Sequence, residues 1–380
     1  MSVFFDESAN DVAAIIKCLK PFAESLKSKL SICGAGQQAT PVVENAHGGL
    51  TIHLQDIQGV EVDTKRKIVS IAAGEKMGRV YEAATALKFG VAGNRHSSGG
   101  IGGDAVQVVL ASGEIVNANA ETNANLWAAL KGGGSSFGIA TPFDVRIFEL
   151  NEMWGGKIFY FQPSFPAQIK RLVDYLHDPS PETNEPGDEH SHILCMNDIS
   201  CTSPRKPKAL EAFVDVQPQI NQMNTLRVAN LKDFTDEACS GASPNRVVKM
   251  TRTVKTDTSI LEYAAKAFRE SFKQLKHMNN ILFSVTFEPI PISMIEQSNA
   301  RGQNALGLKP SDGPLIQIDA EPEGKNVAAS YRYLNYAFTY QDAIVSYGSD
   351  SKDRLRGVSA TCDLDGFFQA VGADPFKLSK

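Results

Sequence analysis

Three glycine-bearing stretches hold the residues of this chain best suited to chemistry. They read Cys33-Gly34-Ala35-Gly36-Gln37-Gln38, Gly93-Asn94-Arg95-His96-Ser97-Ser98-Gly99-Gly100-Ile101-Gly102-Gly103 and Gly132-Gly133-Gly134-Ser135-Ser136-Phe137-Gly138. Glycine has no Cβ, so successive backbone N–H groups can turn toward an anion and approach it closely. One such stretch is an ordinary turn. Three of them, separated by strand-like segments, point to several loops converging on one large phosphate-bearing cofactor.

Other reactive groups offer less. The chain has six cysteines, none in a C-x-x-C pair, and they read as reduced thiols. Cys33, in a strand before the first loop, reads as a packed small apolar side chain rather than a nucleophile. His190-Ser191-His192 lies in an acidic, Pro-rich run with no third ligand, so it reads as a solvated loop and no metal site is expected. Arg95-His96 could neutralise a phosphate or contact substrate; the plainer reading is a surface pair.

Two nucleotide-binding motifs fail on context. A Walker-type loop needs Lys and Ser or Thr directly after its last glycine, and Gly132 to Gly138 supplies neither the lysine nor the spacing. A Rossmann fingerprint needs G-x-G-x-x-G opening a helix; after Gly34-Ala35-Gly36 the chain continues into Ala39-Thr40-Pro41, a poor helix start.

The elements that must carry the loops are legible in outline. Ser8 is placed to cap a helix through Val12, Ile15, Ile16 and Leu19, with Asp11 at its positive end. Strands are expected at Ser31 to Cys33, Leu50 to Leu54 and Lys67 to Ala72, followed by a helix Met77 to Leu87. Gln107 to Ala118 reads as a hairpin turning at Ser112-Gly113, Asn123 starts a helix that buries Trp127 and stops at Gly132, and Thr141 to Leu150 returns as a strand. Further on, helices are expected at Pro166 to Leu176 and Ile260 to Leu275, and a strand at Ile281 to Phe287. The tail Tyr331-Arg332-Tyr333-Leu334-Asn335-Tyr336 reads as an aromatic strand in which alternation sends Arg332 to the face opposite Tyr333.

At 380 residues the chain is long enough for two domains, or one large domain with an inserted one, and its 42% apolar and 21% charged content is ordinary for a globular protein. Its net charge of −5 argues against nucleic acid or an anionic membrane surface as a partner. No apolar run approaches the ~20 residues that span a bilayer. With no basic-then-apolar leader visible at the N-terminus, a cytoplasmic location is the expectation.

The order of the motifs resembles the fungal branch of the berberine-bridge-enzyme-like, FAD-linked oxidoreductases. The resemblance rests on Gly34-Ala35-Gly36-Gln37-Gln38, Gly48-Gly49-Leu50-Thr51-Ile52, Val60-Glu61-Val62-Asp63 and Ala73-Gly74 before Val80-Tyr81. It continues through Gly99-Gly100-Ile101-Gly102-Gly103, Val109 to Val116, Leu130 to Ile139, Tyr333-Leu334-Asn335-Tyr336 and Tyr347-Gly348. It implies an α+β fold of the vanillyl-alcohol-oxidase type, with a PCMH-type FAD-binding domain formed by both chain ends. Between the ends lies an inserted substrate domain of antiparallel sheet and helices. The implied divisions are residues 1–150, 151–325 and 326–380.

Carried over by residue, Gly34, Ala35, Gly36, Gln37 and Gln38 would sit on the pyrophosphate. Ser97, Ser98, Gly99, Gly100, Ile101, Gly102 and Gly103 would line the diphosphate and flavin, and Gly138 and Ile139 would offer backbone contacts. Asn335 would approach the isoalloxazine ring, and Tyr333 matches the position that removes a substrate hydroxyl proton. A phenol with a pKa of about 10 needs help from burial or a positive neighbour to act as a base at neutral pH. The resemblance implies oxidation of a small alcohol, a sugar or a specialised metabolite by hydride transfer to flavin, with molecular oxygen as electron acceptor.

The chain departs from the family pattern. Many relatives attach the flavin through a histidine where Gln37 or Gln38 stands here, and through a cysteine in a stretch that should follow Gly103. Gly103 instead runs directly into Asp104-Ala105-Val106. FAD is therefore expected to be non-covalent and more weakly held, since each lost charge-assisted hydrogen bond is worth roughly 1.5–3 kcal/mol. A second reading keeps the fold without the flavin: an inactive or metabolite-binding descendant that guides a cyclisation or isomerisation.

Overall fold

The computed structural model describes residues 2–5, 8–36, 40–100, 105–177, 194–240, 248–275, 283–301, 304–318 and 329–378. The chain opens with strand β1 (Ser2–Phe5), helix α1 (Ala9–Leu19) and strands β2 (Leu30–Cys33) and β3 (Leu50–His53). The three strands form a parallel sheet in the order β1-β3-β2. Ser8 caps α1 as its sequence requires, its Oγ accepting the Asp11 N–H at 3.3 Å. The helix buries Val12, Ala13, Ile16 and Leu19 in a cluster with Leu30 and Ile52.

The next segment holds β4 (Val60–Asp63), β5 (Ile68–Ala72), α2 (Met77–Ala86), β6 (Phe89–Val91), β7 (Ala105–Val109), β8 (Ile115–Ala118), α3 (Ala124–Leu130) and β9 (Ile139–Glu149). Their strands make an antiparallel sheet in the order β4-β5-β9-β7-β8. β9 is its spine, carrying β5, β7 and also β6 along its length. The expected β7–β8 hairpin forms with Val109 opposite Ile115. Asn123 precedes α3 but its side chain makes no capping bond, and its φ of 49° is left-handed.

The junction between β5 and α2 is tight. Gly74 donates its N–H to the Ile57 carbonyl at 3.0 Å. A Cβ there would lie 2.7 Å from the Gln55 backbone and closer still to the Leu54 carbonyl oxygen. Gly74→Ala must push the start of α2 outward, and we expect a stability loss of about 1–3 kcal/mol. Denaturant unfolding measures it; an unchanged midpoint would mean that the junction has slack.

From Met153 onward the elements are β10 (Met153–Phe161), α4 (Phe165–His177), β11 (Leu194–Cys201), α5 (Glu211–Val214), β12 (Arg227–Ala229), α6 (Leu231–Cys239), β13 (Arg252–Lys255), α7 (Thr258–Leu275), β14 (Phe287–Ile290), α8 (Ile292–Ala300) and β15 (Leu315–Ile318). They build two antiparallel three-stranded sheets, β11-β10-β12 and β13-β15-β14. α4 and α7 pack over the second sheet through Ile169, Leu261, Ala264, Ile316 and Ile318. Both helices lie where their apolar spacing puts them. The strand expected at Ile281 to Phe287 needs correction: 283–286 are irregular, pairing begins at Phe287, and Ile281 and Leu282 lie outside the described residues.

The tail returns to the first 150 residues. α9 (Ser349–Cys362) contributes Leu355 to a cluster with Trp127, Phe137, Tyr331, Ala337 and Tyr347, and α10 (Phe367–Val371) places Phe367, Phe368 and Val371 against α1. The aromatic run is not a strand. Residues 331–333 are irregular and Leu334–Tyr336 form one 3-10 turn. The alternation argument for Arg332 fails with it; its N–H donates to Ser346 Oγ at 2.9 Å. Among the described residues no helix is long and apolar enough to cross a membrane.

Candidate cofactor and substrate site

The first loop leaves β2 at Cys33 and turns at Gly36, whose φ of +75° favours glycine. Among the described residues, a Cβ on Gly36 would find no heavy atom nearer than Glu44 Oε2 at 4.0 Å, so this side of the turn is open to them. Cys33 is buried, and burial together with the Glu44 carboxylate pushes its thiol up, against the Gly36 amide. It is a packed, neutral side chain. Gln37 and Gln38 lie outside the described residues.

The second loop runs back along α2. Tyr81 Oη donates to the Asn94 carbonyl, the Gly78 N–H donates to the Ser97 carbonyl at 2.6 Å, and the Met77 N–H donates to the Gly99 carbonyl at 3.0 Å. This leads Gly100 to the first loop, where a Cβ on it would sit 3.7 Å from the Ala35 Cβ. Ile101, Gly102 and Gly103 lie outside the described residues.

The third loop follows α3. Gly138 lies against β7, with a notional Cβ 2.6 Å from the Val109 carbonyl oxygen, and Ile139 is buried as the first residue of β9. Gly134 faces the tail motif, its notional Cβ 3.7 Å from Leu334 Cδ1. Tyr347 Oη donates to the Gly132 carbonyl at 3.1 Å. The tail motif in turn meets the end of the first loop: Thr40 Oγ1, buried, donates to the Ala337 carbonyl at 3.2 Å.

These contacts join the loops in series, from the second to the first, then the tail motif, then the third. The first loop touches the second through Ala35 and Gly100, the tail motif through Thr40 and Ala337, and the tail motif touches the third loop through Leu334 and Gly134. Next to the third loop lies a cavity of about 830 Å³. Gly134 and Gly138 line it, as do Ala92 and Val106 at the two ends of the second loop. Trp127, with the Lys131 ammonium 3.2 Å from its ring centroid, closes another side. Gly34 to Gly36, Ser97 to Gly100, Tyr333 and Asn335 do not line this cavity.

Within the tail motif, Asn335 Nδ2 donates to Tyr333 Oη at 2.9 Å. Tyr333 meets Tyr336 edge-on at 5.0 Å between centroids, and Lys249 Nζ stands 3.9 Å over the Tyr336 ring. Tyr331 and Tyr347 are the buried aromatics here, stacked at 5.8 Å, and burial holds both phenols far above the ordinary tyrosine range. Tyr333 is only partly buried and Asn335 is exposed. Of these four tyrosines, Tyr333 and Tyr336 are the two that are only partly buried.

Sequence reasoning did not foresee the partners of Arg95 to Ser98. Arg95 pairs with Glu288, which also accepts from Gln317 Nε2 at 3.2 Å. Burial and the charge of Arg95 push the His96 imidazole below its ordinary pKa; the Ala238 carbonyl opposes this, and Lys249 and Lys157 reinforce it. The Ser97 and Ser98 hydroxyls contact Cys239 Sγ, each at 3.3 Å, and the Ser98 N–H donates to it at 3.4 Å. Arg95 and His96 are thus tied to the middle elements and are more than a surface pair. Their contacts join residues more than 140 positions apart, and no local pattern announces them. His190 and His192 lie outside the described residues, and among the described residues no group of three or more His, Cys, Asp or Glu could hold a metal.

Residues 2–125 match the family model described as an FAD binding domain. The FAD-dependent monooxygenase tpcD of Cochliobolus heterostrophus is 26% identical over 432 aligned positions, covering 95% of this chain and 81% of that protein. The bifunctional solanapyrone synthase of Alternaria solani is 25% identical over 432 positions, covering 97% and 80%. Both alignments are longer than the 380-residue chain, so each relative carries residues with no counterpart here. Among solved structures, 6-hydroxy-D-nicotine oxidase from Arthrobacter nicotinovorans superposes with a TM-score of 0.72 at 14% identity, over 98% of this chain and 92% of that one. A carbohydrate oxidase from Microdochium nivale gives 0.67 at 17% identity, over 99% and 92%. At these identities the likeness is one of fold.

Proposed function

We propose, from the premise that this chain is an FAD-dependent oxidoreductase of the berberine-bridge-enzyme-like family with the PCMH-type fold, that it oxidises a hydroxyl-bearing small molecule of specialised metabolism. The observation that carries the reading is the series of contacts that joins the first loop to the second and, through the tail motif, to the third. In this reading residues 1–150 and 326–380 form the cofactor domain and 151–325 the substrate domain.

The residues suit the cofactor. Gly34 to Gln38 would hold the pyrophosphate, with the open side of the Gly36 turn admitting it. Ser97 to Gly103 would line the diphosphate and flavin, Gly138 and Ile139 would give backbone contacts, and Asn335 would approach the ring. When bound, FAD supplies a hydride acceptor; the protein supplies position and electrostatics. Tyr333 would take the substrate hydroxyl proton at Oη. The Asn335 amide already donates to that atom and would stabilise the phenolate that must exist before it accepts the proton. The Lys249 ammonium over Tyr336 adds positive charge next to the pair. Molecular oxygen is the electron acceptor in this reading.

We assign non-covalent attachment, because glutamines stand where many relatives attach the flavin through histidine. The visible spectrum of purified protein tests the reading. A yellow preparation that releases its colour into the filtrate after denaturation is expected. A colourless protein that cannot be reconstituted with FAD would leave the flavin-free alternative. Colour retained on the denatured chain would overturn only the non-covalent assignment.

A further inference from the structure

The cavity beside the third loop lies apart from most of the residues assigned to the cofactor: Gly34 to Gly36, Ser97 to Gly100 and Asn335 are not among its walls. Its charged lining is of one sign. Lys131 at the end of α3, Arg146 on β9 and Arg301 at the end of α8 converge on it, and among the described residues no aspartate or glutamate lines it. The remaining wall is apolar, with Trp127, Phe143 and Phe148 supplying aromatic rings.

Each cation is held by a different part of the fold. The Lys131 carbonyl accepts the Ala305 N–H at 3.1 Å, and its ammonium lies 3.2 Å from the Trp127 ring centroid. The Arg301 N–H closes α8 on the Gln297 carbonyl at 3.1 Å. Beyond it Arg354 donates to the Asn304 carbonyl at 2.6 Å, so this wall is tied to both the third loop and α9. Arg146 is exposed and alternates on β9 with the buried Val145 and Ile147. Like charges repel, so three cations around one hollow do nothing for the stability of the empty fold. A cleft lined by one sign of charge between low-dielectric walls focuses its field and concentrates counter-ions. The volume of about 830 Å³ falls in the range of roughly 300–1,000 Å³ of small-molecule sites, whose walls are mostly apolar with a few polar groups that fix orientation. Arginine suits that task, because its planar fork takes a carboxylate through two hydrogen bonds.

We propose that this cavity is a binding site of its own for an aromatic carboxylate. Arg301, Arg146 and Lys131 take the carboxylate, and the rings of the ligand lie against Trp127, Phe143 and Phe148. Binding makes and breaks no covalent bond, and the site stands whether or not the chain oxidises a substrate. FAD is also anionic and aromatic, and Gly138 both lines the cavity and belongs to the proposed flavin contacts. The cofactor is therefore the competitor to separate from the ligand.

The probe is 1-naphthoate, titrated calorimetrically at neutral pH into the full chain as purified and again with saturating FAD. Uncharged 1-naphthamide, of the same shape, is the control. Naphthoate should bind at one site per chain, at least about tenfold more tightly than the amide, the difference made by charge-assisted hydrogen bonds. Its affinity should be the same with and without added FAD. Arg301→Gln, at an exposed helix end, should remove most of the preference for the acid while leaving the affinity for the amide unchanged. Equal affinity for acid and amide, or no naphthoate binding at millimolar concentration, would overturn the proposal. So would a naphthoate affinity that falls as FAD is added, which would return the cavity to the cofactor. A chain that binds no FAD counts against the oxidoreductase reading alone, because the comparison of acid with amide needs neither cofactor nor turnover.

Discussion

Replacing Tyr333 with phenylalanine should slow substrate-driven bleaching of the flavin absorbance by about 10²- to 10⁴-fold, the contribution of a positioned general base. Substrate affinity should change little, because the phenyl ring keeps its edge contact with Tyr336 at 5.0 Å. What disappears is Oη, the atom that accepts from Asn335 at 2.9 Å and that would receive the substrate's hydroxyl proton. Anaerobic stopped-flow spectroscopy separates rate from affinity. A reduction rate equal to that of the unmodified enzyme would remove Tyr333 from the chemistry, whatever the effect on turnover with oxygen. Asn335→Ala should act in the same direction but more weakly, since it withdraws one neutral hydrogen bond and leaves the base in place.

Gly36→Val should abolish cofactor retention while leaving most of the fold intact. At φ +75° a β-branched residue is strained, and the valine methyl groups would stand on the side of the turn where, among the described residues, Glu44 Oε2 at 4.0 Å is the nearest atom to the Cβ. Core packing has little to lose there; an approaching phosphate has the space itself to lose. Two lost charge-assisted hydrogen bonds amount to roughly 3–6 kcal/mol, or 10²- to 10⁴-fold in affinity. Flavin per polypeptide, read from the ratio of visible to ultraviolet absorbance, checks the effect. The thermal midpoint without added cofactor shows whether the protein still folds. Occupancy equal to the unmodified protein's in a folded variant would take the first loop off the pyrophosphate.

The loops were legible because glycine is conspicuous and because the flanking strands follow simple patterns. Val108 and Val109 enter the hairpin with Ile115 opposite Val109, and α1 carries its cap and acidic residue at the expected spacing. α4 and α7 were legible for the same reason, each having one apolar stripe over a sheet. The middle strands were not. β10 and β11 pair over eight residues, yet their exposed positions include Phe161 and Met196, which blurs any alternation. Tyr331 to Tyr336 has the composition of a strand, but the buried stack of Tyr331 on Tyr347 and the turn at Leu334 bend it away. The cofactor reading came from local motifs. The contacts of Ser97 and Ser98 with Cys239 could not be read that way, because the partners lie far apart in the chain and only folding brings them together.

The hydrogen bond from Thr40 to Ala337 spans 297 positions, and the one from Ser359 Oγ to the Ser136 carbonyl spans 223. Leu30 also bridges to Gly372. Contacts of such separation cannot form until nearly all of the polypeptide has left the ribosome, and pairings this distant in sequence slow folding because a long loop must be closed first. Until then the amino-terminal segment lacks the partners, such as Leu355, Phe367 and Phe368, that cover its apolar surfaces in the finished fold. A chain cut short before the final helices would lack every one of these contacts.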